Sequence, residues 1–169
     1  YGAGIYINNS QVQITNSLIV RNYYSAAPFY GYGGGLYIGG GNVEISHSAI
    51  VTNTVSGWMS STACGGGIYV SGGSHAIQNT VIANNQGVYG DGIYVNGGLT
   101  LANCTLAGNG GYGIHYAGGA VSATNSIFWN NGDDLYLFPF TPEEPNTRIW
   151  NSCVEDGDNN GIQGCTNAN

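Results

Sequence analysis

The chain has 169 residues, enough for one domain with a sizeable core, and its formal net charge is −7. Only 7% of the residues are charged, and the only cations besides histidine are Arg21 and Arg148, which excludes a basic surface for nucleic acid. No apolar run approaches the ~18 residues of a membrane-spanning helix, and the 30 glycines follow no triplet period, which excludes collagen.

One pattern recurs six times along the chain. Each repeat opens with a glycine-rich turn and an Ile-Tyr-Ile-like strand, at 2–7, 33–38, 65–70, 90–95, 111–116 and 132–137. A second pattern resembling Ile-Thr-Asn-Ser-Leu-Ile follows at 13–22, 44–53, 76–85, 100–109, 122–131 and 148–157. Such short units cannot bury a face alone, so the repetition predicts a stacked β-solenoid.

Aligned apolar positions predict the core of this solenoid. Within Gly-Ile-Tyr-Ile, strand alternation directs both isoleucines inward and the tyrosine outward. Four inner ladders are expected, and they run from Ile5 to Leu135, from Ile7 to Leu137, from Ile14 to Ile149 and from Ile19 to Val154.

Aromatic and amide side chains follow the same register. An outer aromatic ladder is predicted, with the members Tyr6, Tyr37, Tyr69, Tyr94, His115 and Tyr136. One asparagine ladder contains Asn16, Asn79, Asn103, Asn125 and Asn151, with His47 as the exception. The other contains Asn22, Asn53, Asn85, Asn109 and Asn131. Asparagine tolerates turn conformations and its amide can bond the coils on either side.

These repeats resemble right-handed parallel β-helix proteins of the pectin-lyase-like superfamily, especially the Gly-Gly-Gly-Ile-Tyr repeat proteins of bacterial secretions and surfaces. The resemblance implies an all-β fold, a single right-handed parallel β-helix of about six coils. We expect one domain over residues 1–169, with loops protruding at 23–32, 54–64 and 138–147. The superfamily hosts lyases, hydrolases, adhesins and structural modules, so the fold does not decide function.

Catalytic chemistry has little support in the residues. Lyases of this fold need a cation beside the reacting carbon, but Arg21 and Arg148 belong to the first and sixth repeats, roughly 24 Å apart at the usual strand spacing. The acidic doublet Asp133–Asp134, with Asp91 nearby, is more simply a solvated turn than a hydrolase pair. The three histidines, His47, His75 and His115, occupy three different ladder positions. Each is more simply a replacement for the usual ladder residue than a catalytic base or a metal ligand. We therefore predict no catalytic residue and no enzyme activity.

Two further sites are expected near the end of the sequence. Asp156, Asp158 and Asn160 match the first half of a calcium loop, whose closing glutamate is missing. Calcium is therefore the one cofactor considered. Cys153 and Cys165 flank the last turn and are predicted to form a disulfide, whereas the state of Cys64 and Cys104 stays open.

The favoured function is a structural module of an extracellular or cell-surface assembly. Ile5 to Ile162 spans a whole number of coils, so copies are expected to stack end to end through open coils. The interface would contain Ile5, Ile7, Ile14, Ile149, Val154 and Ile162. Two alternatives remain: a β-helix that binds or cleaves a polysaccharide, with a glycan on the aromatic surface, and a fragment of a larger bacterial adhesin.

Overall fold

The structure is a computed structural model that describes residues 1–25, 30–57, 62–137 and 147–155. Within these ranges the chain contains twenty β-strands and no helix. The backbone winds through six coils, and each coil contributes strands to three rows that run along the stack. Every strand pairing between coils is parallel.

The first strand row carries the Ile-Tyr-Ile pattern. Its strands are β1 (Ile5–Ile7), β6 (Leu36–Ile38), β11 (Ile68–Val70), the start of β14 (Ile93–Ala102), the start of β16 (Tyr112–Thr124) and β18 (Asp133–Leu137). Equivalent repeat positions face each other, as in the pair Ile5 and Leu36. The register that the sequence repeat predicts is therefore the register of the sheet.

The second strand row follows a short corner in each coil. Its strands are β2 (Ser10–Thr15), β7 (Gly41–Ser46), β12 (Ser74–Gln78), the ends of β14 and β16, and β19 (Thr147–Trp150). In the fourth and fifth coils the corner is absorbed into one long strand, with a register shift between Val95 and Asn96.

The third strand row closes each coil with very short strands. They are β3 (Leu18–Val20), β8 (Ala49–Val51), β13 (Val81–Ala83), β15 (Thr105–Ala107), β17 (Ile127–Trp129) and β20 (Cys153–Val154). In each three-residue strand only the middle side chain points into the core, so Ile50, Ile82 and Leu106 are fully buried. The all-β solenoid predicted from the repeat is confirmed.

The core consists of aligned side chains from all three rows. The central coils bury their members completely, as Leu36, Ile68 and Ile93 show, whereas Ile5 on the first coil is only partly buried. A fifth inner ladder lies on the second row and was not predicted from the sequence. Its members are Val12, Val43, His75, Leu99, Val121 and Thr147.

Two of the long connections, which lead from the third row to the first-row strand of the next coil, stack on each other. Strand β4 (Tyr23–Ser25) pairs with β9 (Thr54–Ser56), and β5 (Gly31–Tyr32) pairs with β10 (Ala63–Cys64). They enclose a small second core of Val55 and Ala63 beneath Tyr24. Of the expected loop 138–147, only Thr147 is among the described residues.

Candidate functional site

The outer face of the first strand row carries a continuous aromatic stack. Tyr6, Tyr37, Tyr69, Tyr94, His115 and Tyr136 follow one another with ring centroids 4.8–5.4 Å apart and interplanar angles of 8–26°. The strand spacing of about 4.8 Å sets this distance. The structure thus brings all six predicted members into one stack.

Neighbouring rings cover most of the aromatic faces in this stack. Tyr1 lies edge-on against Tyr37 at 5.0 Å, and Tyr112 lies against Tyr136 at 4.6 Å. Burial raises the pKa of the Tyr69 phenol well above its usual range. Because ring faces are already stacked on each other, the stack presents mainly ring edges and hydroxyls to solvent. This arrangement favours stiffening of the solenoid over stacking of sugar rings.

His115 is the one imidazole in the stack. Its ring lies between Tyr94 at 5.0 Å and Tyr136 at 4.8 Å, with Tyr89 and Tyr112 edge-on. Its Nδ1 is buried without a hydrogen-bond partner. Burial lowers the pKa of the imidazole, which keeps His115 in the neutral form that suits an aromatic stack.

A buried asparagine ladder runs beneath the corner between the third and first rows. The Oδ1 of Asn85 accepts from the backbone N–H of Asn53 at 3.0 Å and from its Nδ2 at 3.1 Å. The same Nδ2 of Asn53 also donates to the carbonyl oxygen of Ile19 at 3.0 Å. The pattern repeats from coil to coil and joins Asn22, Asn53, Asn85, Asn109 and Asn131.

The glycine before each first-row strand makes room for this ladder. A Cβ on Gly35 would lie 3.1 Å from the Cγ of Asn53 and 2.6 Å from the carbonyl oxygen of Gly67. The next coils repeat this crowding at Gly67, Gly92 and Gly113. A side chain is tolerated at this position only where the buried asparagine is missing.

The sixth coil exchanges the two residues. Asp134 occupies the glycine position, and a glycine, Gly157, occupies the asparagine position in the sequence. The Oδ1 of Asp134 accepts from the Nδ2 of Asn131 at 2.7 Å, and its Oδ2 accepts from the backbone N–H of Glu155 at 2.9 Å. Asp134 therefore terminates the ladder with a carboxylate. Each substitution is visible in the sequence, but only the contact between the two positions shows that they are linked.

The second set of asparagines forms an exposed row at the turn between the second and third rows. Asn16, His47, Asn79, Asn103, Asn125 and Asn151 all adopt the left-handed conformation, with φ between 48° and 54°. The Nδ2 of Asn103 donates to the Oδ1 of Asn79 at 3.2 Å. Here asparagine serves mainly the backbone turn, because this residue tolerates positive φ better than most.

A hydroxyl ladder follows directly after this exposed row and was not predicted. The Oγ of Ser126 accepts from the backbone N–H of Cys104 at 3.1 Å and donates to the carbonyl oxygen of Thr124 at 3.0 Å. The aligned members are Ser17, Ser48, Thr80, Cys104, Ser126 and Ser152. Cys104 replaces a hydroxyl residue, and burial raises the pKa of its thiol.

Acidic and imidazole side chains inside the stack are bound to the backbone. Asp91 is 3% exposed, and its carboxylate accepts from the N–H groups of Gly87 at 2.9 Å and Tyr112 at 3.2 Å. Burial raises the pKa of Asp91, while these backbone bonds act in the opposite direction. The Nδ1 of His75 accepts from the N–H of Val43, which assigns its Nε2–H to the Gly72 carbonyl at 2.6 Å.

Several predicted sites fall wholly or partly outside the described residues. The calcium ligands Asp156, Asp158 and Asn160 lie outside them, as does Cys165. Cys153 is exposed and carries a free thiol among the described residues, so its pairing with Cys165 stays a prediction. Cys64 and Cys104 are buried free thiols. In the part of the chain that the structure describes, no group of three or more His, Cys, Asp or Glu side chains converges.

The residues of the expected end-to-end interface lie on the first and sixth coils. On the first coil, Ile5 and Ile14 are partly buried and Ile7 is buried. On the sixth coil, Ile149 and Val154 are buried. Ile162 lies outside the described residues.

A shallow polar groove crosses the outer face of the second row. It is lined by Ser74, Thr100, Ser122 and Arg148, among other residues, and the Oγ of Ser122 donates to the Oγ1 of Thr100 at 3.3 Å. The guanidinium carbon of Arg148 lies 6.0 Å from the ring centroid of Trp150. The groove combines hydroxyls and a cation, and the exposed indole of Trp150 lies beside that cation.

Comparison with known proteins agrees with this geometry. A family model described as "Right handed beta helix region" matches residues 46–169. Comparison with curated proteins and with solved structures gives no match. Over the described ranges, no helix has the length and apolar character to cross a membrane.

Proposed function

Because the chain belongs to the right-handed β-helix family, we propose that it is a structural β-solenoid module of an extracellular or cell-surface assembly. One observation carries the proposal: the buried side chains of Asp91, Asp134 and His75 are bound into contacts within or between coils. Asp91 and Asp134 accept backbone N–H groups, and His75 bridges Val43 and Gly72. The aromatic and amide ladders add stiffness along the stack.

The module is further proposed to stack end to end. Strands β1, β2 and β3 are edge strands on the first coil, and β18, β19 and β20 are edge strands on the sixth coil of the described stack. Such edges readily pair with another parallel strand. A second copy placed there would bury the remaining exposed surface of Ile5 and Ile14 and extend the apolar inner ladders in register.

Electron microscopy and sedimentation velocity test this stacking. We expect threads with an axial repeat of about 29 Å for six coils. Ile14→Lys puts a charge at the open coil and should shorten the threads, whereas Gln13→Lys, on the outward face of the same strand, should not. Species no larger than two chains at every concentration, with native circular dichroism, would overturn the stacking proposal.

Polysaccharide binding is a second candidate function, favoured by the groove of Ser74, Thr100, Ser122 and Arg148. Hydroxyl groups spaced from coil to coil can hydrogen-bond successive sugar units, and Arg148 can pair with a carboxylate of an acidic glycan. A glycan array with the wild type and Arg148→Ala tests it. Binding that is lost in the variant would support this candidate, and an array without any binding would reject it.

A further inference from the structure

The outer face of the third strand row is almost entirely apolar. Its two outward-facing lines of side chains are Leu18, Ala49, Val81, Thr105, Ile127 and Cys153, and Val20, Val51, Ala83, Ala107, Trp129 and Glu155. We call these twelve residues the apolar face. Leu18 is 65% exposed, Trp129 is 50% exposed and Ile127 is 46% exposed. Exposed apolar surface this continuous is typical of an interaction site.

The outer face of the second row shows that this composition is specific to one side of the solenoid. At one line of equivalent outward positions the second row carries five polar residues and one alanine, namely Gln13, Glu44, Ala76, Thr100, Ser122 and Arg148. The same coils thus present a polar surface on one side and an apolar surface on another. A general shortage of polar residues does not explain the apolar face.

The geometry points to a second copy of this chain as the occupant of the apolar face, in a closed dimer with two-fold symmetry. Two sheets can pack face to face about 10 Å apart when their strands are nearly aligned. Two copies of one solenoid have the same spacing between strands, so their faces match along the whole stack. The two-fold axis is inferred to run along the strand direction.

Side-chain sizes favour this axis. Rotation about the strand direction sets the first coil of one copy opposite the sixth coil of its partner, and the second opposite the fifth. Large residues then meet small ones, with Ile127 over Ala49, Trp129 over Val51 and Leu18 over Cys153. A two-fold axis along the solenoid would instead place Ile127 of one copy against Trp129 of the partner subunit. Two large residues would then meet, and the alanines of the central coils, Ala83 and Ala107, would not face each other.

Charges favour the same arrangement. The chain carries a net charge of −7, yet Glu155 is the only charged member of the apolar face. Arg21 directly follows Val20 at the opposite end, on the first coil. The two-fold rotation places Arg21 of each copy near Glu155 of the partner subunit, so two opposite-charge pairs form at the rim.

The size of the face predicts a reversible dimer. Five strand spacings of about 4.8 Å give a strip roughly 24 Å long, and two such strips together bury on the order of 1,000 Å², near the lower bound of specific interfaces. We expect a dissociation constant in the micromolar range. Axial stacking has open ends, whereas lateral association through this face stops at two copies.

Sedimentation equilibrium of the full chain tests the dimer, with Val81→Asp as the first variant. Measured in the Ile14→Lys chain, in which axial stacking is weakened, the mass should shift from 17.5 kDa to twice that value with rising concentration. Adding Val81→Asp should weaken this association at least tenfold. Gln78→Asp is the matched control on the second row and should leave the dissociation constant within twofold. Ile127→Thr is the second variant, for use if Val81→Asp folds poorly. It keeps a β-branched side chain and should weaken association about threefold.

A charge series tests the axis. Arg21→Glu sets two carboxylates opposite each other and should weaken the dimer several-fold. Adding Glu155→Gln should restore it, because the amide removes the repulsion while its oxygen can still accept from the backbone N–H of Asn130, as Glu155 does. A monomeric Ile14→Lys chain at 500 µM, equal effects of Val81→Asp and Gln78→Asp in that chain, or no restoration by Glu155→Gln would each overturn the proposal.

Discussion

Two rows of asparagine share one period and differ in almost every physical respect. The buried ladder holds Asn53, Asn85 and Asn109 at 0–2% exposure, and its amides bond backbone and side chains of adjoining coils. The row that contains Asn79 and Asn103 is exposed at left-handed turns. In the sequence the two rows are equally regular.

The difference shows that regular spacing alone does not measure energetic importance. A buried amide leaves several polar groups unsatisfied when it is removed, whereas an exposed amide is replaced by water. In the exposed row, asparagine is favoured because it tolerates the left-handed backbone conformation of the turn. Substitutions should therefore separate the two rows by several kcal/mol, and the following predictions are ordered by the size of that effect.

Asn85→Ala should have the largest effect. The change removes the acceptor for the backbone N–H and the Nδ2 of Asn53, and it removes the donor to the Ile50 carbonyl. All three of these groups are buried. At about 1–3 kcal/mol for each unsatisfied group, we expect the free energy of unfolding to fall by about 3–5 kcal/mol. Urea denaturation measures it. A loss below that of Asn103→Ala, about 1 kcal/mol, would contradict the contrast between the rows.

Asp134→Ala should have an intermediate effect. It removes the acceptor for the Nδ2 of Asn131 and for the backbone N–H of Glu155, and hydrogen bonds to a charged group contribute about 1.5–3 kcal/mol each. We expect a loss of about 2–3 kcal/mol in urea denaturation, because two groups lose a partner and one of them, the Nδ2 of Asn131, keeps its bond to the Leu106 carbonyl. Asp134→Asn keeps one acceptor and should lose less. Equal losses in both variants would argue against a role as the ladder terminus.

High pH should weaken the fold through buried phenols and a thiol. Burial raises the pKa of Cys64 to about 12 and raises the pKa values of Tyr69 and Tyr94. Since the unfolded chain releases these protons first, the free energy of unfolding should fall as pH rises above about 9. Urea titrations between pH 7 and 10.5 measure the slope. Tyr69→Phe and Cys64→Ala should each flatten it, and an unchanged slope in both would refute this explanation.

Asn103→Gly should have the smallest effect. Residue 103 is exposed at φ 54°, and glycine adopts this conformation without steric cost. We expect a change in the free energy of unfolding within about 0.5 kcal/mol. A loss above 1.5 kcal/mol in urea denaturation would mean that the bond from the Nδ2 of Asn103 to Asn79 matters more than the turn.

The fold was predictable because its repeat aligns like residues at like positions. Isoleucine, leucine and valine recur at Ile5, Leu36 and Ile68, and parallel stacking is the arrangement that places them together. The solenoid could therefore be predicted without knowing any individual side-chain contact.

Other features depend on contacts that no spacing reveals. The fifth inner ladder mixes Val43, His75 and Thr147, so its residues share no type that a pattern would detect. The role of Asp134 becomes visible only when the buried asparagine is known to lie over the glycine of its own coil. The apolar face was missed because strands of three residues are too short to show alternation.

The side-chain to side-chain hydrogen bonds of the buried ladder all run in one direction along the solenoid. Each asparagine donates its Nδ2 to the next coil, from Asn22 through Asn53, Asn85 and Asn109 to Asn131, and Asp134 receives the last one. Coils two to five are interchangeable in this respect, because each accepts and donates in the same way. Gene duplication or loss of such a coil would change the length of the module while leaving the Asp134 terminus of the ladder intact. The length can therefore vary by whole coils, provided that Asp134 is kept where the ladder stops.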